Sequence, residues 1–105
     1  KRVPIADNVV KYAVKIVSAT RPSSSPLDFI KESVDWGAGP RASQFLVLAA
    51  KAKALLDGRP TPDIKDVQSL VAPILRHRVL PNFNAEAEGL KIEDILDKLL
   101  ISIPE

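Results

Sequence analysis

The chain has 105 residues, 46% hydrophobic and 27% charged, with a formal net charge of +2; that is one modest globular domain with room for a single core. It has no cysteine and one histidine, His77, which excludes a disulfide framework, a thiolate zinc site and a multi-histidine metal centre. No apolar run approaches the roughly 18 residues that suggest a membrane span. Lys1-Arg2-Val3-Pro4 lacks the apolar stretch of a signal peptide. With no methionine anywhere in the chain, the expectation is an excised piece of a longer protein.

The first predicted helix runs from about Ile5 to Ala19, with Ile5, Val9, Ala13, Ile16 and Val17 on one face and Asp7, Lys11, Lys15 and Ser18 opposite. Pro22 and the run Ser23-Ser24-Ser25-Pro26 end it in a loop. Residues 27–36 carry two patterns. Leu27-Asp28-Phe29-Ile30 fits a helical turn, whereas Val34 and Trp36 alternate with Ser33 and Asp35 as in a short strand.

A second helix is expected from Pro40 to Gly58, with proline at its start and glycine just past its end. Phe45, Leu48, Ala49, Ala52, Leu55 and Leu56 form its apolar stripe, and Leu46, Val47 and Ala50 widen it. A helix so apolar is expected to be central and packed on several sides. Thr61-Pro62-Asp63 opens the third helix as N-cap, first helical residue and first-turn acid. Ile64, Val67, Leu70, Val71, Ile74 and Leu75 face the core, and Pro73 predicts a kink or break. Arg76-His77-Arg78 places cations at the negative end of the dipole.

Val79 to Phe83 reads as an extended link, Ala85 to Glu88 as a turn closed by Gly89, and 92–101 as the last helix, with Ile92, Ile95, Leu96, Leu99, Leu100 and Ile103 at helical spacing. The predicted fold is therefore an all-α bundle of four main helices, with a short two-stranded element expected between residues near 33–36 and 79–83. Charge is uneven along it. Residues 41–78 hold seven Lys or Arg against three Asp, and residues 84–105 hold two Lys against six acids. Such asymmetry marks either an anion-binding surface or two solvated faces that attract one another.

The segment most suggestive of chemistry is Gly37-Ala38-Gly39-Pro40-Arg41-Ala42-Ser43. Its glycines permit sharp turns and close approach by another group. Arg41 falls in the first turn of the second helix, where the dipole disfavours a cation. The first amides of a helix lack internal partners and can receive an anion, and an arginine beside them can grip a phosphate with two parallel hydrogen bonds. The residues alone leave two readings: a phosphate-binding arginine, or an exposed arginine after a capped turn.

Trp36-Gly37-Ala38-Gly39-Pro40-Arg41-Ala42-Ser43-Gln44 resembles the sensor 2 segment of MoxR-family AAA+ ATPases, whose common form is Gly-Ala-Ser-Pro-Arg-Ala; Gly39 stands where the family more often has serine. Leu75-Arg76-His77-Arg78, Ala85-Glu86-Ala87-Glu88-Gly89 and Thr20-Arg21-Pro22 are similar to the family as well, so the likeness covers nearly the whole chain in order. The resemblance implies that residues 1–105 are the C-terminal helical lid of an ATPase whose core is absent. It implies Arg41 as the sensor 2 arginine on the ATP γ-phosphate, with Gly39 and Pro40 beside it. It also implies ATP and Mg in the parent, a homo-oligomeric, usually hexameric ring, a chaperone-like or metal-inserting role, a von Willebrand factor A domain partner and a cytoplasmic location.

The chain by itself is expected to bind no ATP and to catalyse nothing. A phosphate loop needs a Gly-Lys pair, and the four glycines here precede Ala38, Pro40, Arg59 and Leu90. Ser43 and His77 have no motif linking them as nucleophile and base. His77 is expected to end a helix, with a ring contact suggested only by the family likeness. Glu86, Glu88, Glu93 and Asp94 read as solvated acids rather than metal ligands. The rival functions are a protein-interaction bundle and a nucleic-acid module. The latter would need Arg41, Arg59, Arg76 and Arg78 on one face with aromatic residues, and no nucleic-acid partner is expected.

Overall fold

The computed structural model describes residues 7–104. Its elements, in chain order, are α1 (Asp7–Ala19), α2 (Asp28–Ser33), β1 (Val34–Trp36), α3 (Arg41–Leu56), α4 (Ile64–Leu75), β2 (Leu80–Pro81), α5 (Phe83–Ala87) and α6 (Ile92–Ser102). The four long helices α1, α3, α4 and α6 are those the periodicity predicts. The ambiguous stretch takes both of its patterns in turn, first helix α2 and then strand β1.

Helix α1 buries Val9, Tyr12, Ala13, Ile16 and Val17, the three-and-four spacing of a one-sided helix. Ile5, the first residue of the predicted face, lies outside the described residues. The Tyr12 hydroxyl donates to the Ile103 carbonyl (2.7 Å) and accepts from Gln68 Nε2 (3.1 Å), so one buried phenol ties α1 to α4 and to the residue that closes α6.

Helix α3 departs most from expectation. Its buried stripe is Ala42, Leu46, Ala50 and Ala54. Phe45, Leu48, Leu55 and Leu56, read from sequence as the core face, are exposed, Leu56 by 88%. Small side chains permit close helix approach, and the alanine-lined side is the one that α1 and α4 pack against. At its start Pro40 occupies the boundary with helical angles (φ −58°, ψ −31°) and Arg41 is the first full helical residue. At its end Gly58 is left-handed (φ 77°). The Arg59 amide then reaches back to the Ala54 carbonyl (2.8 Å) and the Gly58 amide to Leu55 (3.0 Å), the terminal pattern expected of a glycine stop.

Helix α4 is capped by Asp63 rather than Thr61. The Asp63 carboxylate accepts from the Asp66 amide (3.1 Å) and the Asp66 carboxylate accepts from the Asp63 amide (2.8 Å). This reciprocal pair satisfies two otherwise unpaired donors. The helix continues through Pro73 to Leu75. Pro73 removes the one bond its own N–H would make to the Ser69 carbonyl, and the ladder resumes after it, the Arg76 amide bonding to the Ala72 carbonyl (3.0 Å).

Strands β1 and β2 pair antiparallel, Val34 opposite Pro81 and Trp36 opposite Leu80, which is the two-stranded element expected. Asn82 secures it: its amide donates to the Ser33 carbonyl (2.8 Å), its Nδ2 to Glu32 (2.7 Å), and its Oδ1 caps α5 at Ala85 (2.9 Å). The core runs continuously from Val9 and Ile16 through Leu46 and Val67 to Leu96 and Leu99. No helix among the described residues is long and apolar enough to cross a membrane.

Candidate functional site at the start of α3

The site is built from the end of α1 and the run from β1 to α3. Past α1, the Thr20 hydroxyl donates to the Val17 carbonyl (2.6 Å) and accepts from the Ala38 amide (3.0 Å), and Thr20 is fully buried. Gly37 lies against the same turn. A Cβ there would sit 2.5 Å from both the Thr20 carbonyl oxygen and the Arg21 Cα. Close approach, not a special φ, is thus what requires glycine at 37. Gly39 is the opposite case, with open space where a Cβ would stand.

These contacts leave a cleft of about 570 Å³ walled by Arg21, Asp35, Trp36, Gly37, Gly39 and Pro40. The Trp36 ring is 69% exposed in that wall. Arg41 comes one residue after Pro40, the last residue of the cleft wall; it is exposed, and its guanidinium has no hydrogen-bond or ion-pair partner among the described residues. The helix amides are less open than expected. Ala42 N–H bonds to the Gly39 carbonyl (3.0 Å) and Ser43 N–H to Pro40 (3.3 Å). The first amides of the helix therefore have little left to offer an anion, and the cationic side chains nearby are Arg21, which lines the cleft, and Arg41.

Elsewhere the cations are distributed differently. Arg59 grips the buried Asp66 carboxylate with two short bonds (2.7 and 2.6 Å) and reaches Asp57 (3.0 Å); Lys53 also meets Asp66 (3.3 Å). The Arg59 guanidinium holds the Asp66 carboxyl well below the usual carboxylate range, against the opposing effect of burial. The hydrogen bonds that Arg59 donates to Asp66, then to Asp57, raise its own pKa in turn. Arg78 donates to the Ile74 carbonyl (2.8 Å) and lies over the Phe45 ring at 5.0 Å. Two of the four arginines that a nucleic-acid module would need are thus engaged within the fold. Ser43 donates to the Pro40 carbonyl (2.8 Å), and His77 lines a different surface hollow with Arg76, Leu80 and Glu86. No group of three or more His, Asp or Glu among the described residues is placed to hold a metal ion.

Sequence reasoning missed Thr20 as the partner of Ala38 and Asp66 as the centre of an ion-pair network. The second carried a signal, since acids at 63 and 66 have the spacing of a reciprocal cap. The first carried none, because nothing local says which buried amide a threonine will meet.

The chain belongs to the AAA lid domain family, whose model matches residues 29–99. Two of its relatives are named as MoxR proteins. The chain is 33% identical over 100 residues to chaperone MoxR1 of Mycobacterium tuberculosis, covering 92% of this chain and 26% of that protein. It is 36% identical over 70 residues to protein MoxR of Paracoccus denitrificans, covering 65% of this chain and 20% of that one. A crystal structure from Cytophaga hutchinsonii, provisionally assigned as an ATPase, matches 97% of this chain with a TM-score of 0.89 and 32% identity, over 31% of that protein. The chain spans about a quarter of the length of MoxR1.

Proposed function

We propose that this chain is the lid of a MoxR-type AAA+ ATPase, closing over ATP and Mg held by a separate core and sensing the γ-phosphate through Arg41. The observation that carries the reading is the exposed guanidinium of Arg41, one residue past the cleft wall at Pro40 and without a hydrogen-bond or ion-pair partner among the described residues. A cation left unpaired at a helix start, where the dipole disfavours it, has a ready use if an anion arrives. The open space at Gly39 leaves room for that approach. Closure brings the planar fork onto phosphate oxygens, where two parallel hydrogen bonds offset developing negative charge. Motion of the lid then passes to neighbouring subunits of a homo-oligomeric ring in the cytoplasm. The ring performs chaperone-like remodelling or metal-cofactor insertion with a von Willebrand factor A domain partner. The name of MoxR1 as a chaperone supports the remodelling role.

The test is made in the complete ATPase. Arg41→Ala should leave the melting temperature unchanged and slow ATP turnover about tenfold to a thousandfold, the loss typical of removing one charged donor from a developing anion. Arg41→Lys should recover only part, because a point charge does not reproduce the fork. Equal turnover and equal ATP affinity in wild type and Arg41→Ala would make Arg41 an ordinary surface arginine and end the sensor reading.

A further inference from the structure

We infer that Thr20 is a positioning residue for Arg41, locking the end of α1 to the start of α3 so that the two move as one body. The inference rests on the reading of Arg41 given above and extends it to a residue that does not touch nucleotide.

Thr20 is one of only three buried polar residues among those described. A valine would fill the same space without a polar group to satisfy, so packing alone gives no reason for the hydroxyl. The hydroxyl has a specific task. It accepts a hydrogen bond from the amide of Ala38, itself fully buried, and donates one to the Val17 carbonyl in the last turn of α1. A buried backbone N–H needs such a partner. Gly37, one residue earlier, is pressed against the Thr20 carbonyl and the Arg21 Cα from the other side.

Only Gly39 and Pro40 separate Ala38 from Arg41, and the ring of Pro40 fixes its own φ. The Ala42 amide closes back on the Gly39 carbonyl (3.0 Å), which stiffens that short span. The path from the buried hydroxyl to the Arg41 backbone therefore has few free torsions. Loss of the Thr20–Ala38 bond frees the segment to shift, and displacements of about 1 Å at a reacting centre can cost up to a hundredfold in rate.

The experiment has two parts. In this chain, hydrogen exchange of the Ala38 amide should be slow in the wild type and in Thr20→Ser, and faster by tenfold or more in Thr20→Val. In the complete ATPase, Thr20→Val should lower turnover about tenfold while Thr20→Ser stays within about twofold of wild type. In an Arg41→Ala background, Thr20→Val should add less than about twofold, because two residues acting through one contact are not additive. Full additivity, or unchanged turnover in Thr20→Val with Ala38 exchange accelerated, overturns the inference while leaving the sensor reading intact. Unchanged turnover in Arg41→Ala overturns both. If Thr20→Val does not fold, Gly37→Ala carries the same cycle, since it keeps the hydroxyl but pushes the segment away from it.

Discussion

Asp66 shows how one side chain serves two structures at once. Its carboxylate closes the cap at the start of α4 by accepting the Asp63 amide, and it holds Arg59 just past the end of α3. Its carboxyl titrates lower in the folded chain than in the unfolded one, chiefly through the Arg59 hydrogen bonds. The stabilisation is therefore fully present above the unfolded carboxylate pKa of about 3.9 and is lost as pH falls toward the depressed folded value. Asp66→Asn should lower stability at pH 7 by about 2 kcal/mol, as expected when a buried charge pair loses one partner. The gap from wild type should narrow in denaturant titrations below about pH 4. Superimposable unfolding curves at pH 7 would show that the network is energetically neutral.

At the scale of the element, α3 is a helix whose composition hides its inward side. Leucines and a phenylalanine lie on the exposed face, and alanines surround the single buried Leu46. Periodicity weights large apolar residues most, so it selects the wrong face when a helix is packed closely through small ones. Leu46→Ala should destabilise the chain by about 2–5 kcal/mol, whereas Leu55→Ala should change stability by no more than about 0.5 kcal/mol, as for an ordinary surface position. Thermal or urea unfolding of both variants decides it; the reverse order would restore the face read from sequence. Exposed Leu48 of α3 lines one surface hollow with the uncovered Val10 and Val14 of α1, the kind of apolar surface that meets another protein. Under the proposed function that surface is available to the ATPase core or a neighbouring subunit.

Over the whole molecule the helices satisfy one another's buried faces through one continuous core, and the radius of gyration is 14.0 Å, close to the roughly 13 Å of a compact 100-residue domain. The body is elongated, 47 by 22 by 21 Å, with Tyr12 bonding across 91 positions of sequence to Ile103. The chain should therefore fold alone, giving a strongly helical circular dichroism spectrum and a cooperative melt without nucleotide. A coil spectrum would mean that the fold depends on contacts outside this chain.

The sequence by itself determined what depends on local spacing. It placed the four long helices, the glycine stop at Gly58, the short strand pair, and the run from Trp36 to Gln44 that marks the MoxR likeness. Each of these is written in neighbouring residues through helical period, turn chemistry or a contiguous motif. Only the tertiary structure decided which face of α3 is buried, because close packing against α1 and α4 favours alanine over the larger residues. It also decided that Asp66, whose spacing from Asp63 already carries the signal of a local cap, is buried against Arg59. And it decided that Arg59 and Arg78 are held while Arg41 has no partner among the described residues: a charge finds or lacks a partner only once distant segments have come together in space.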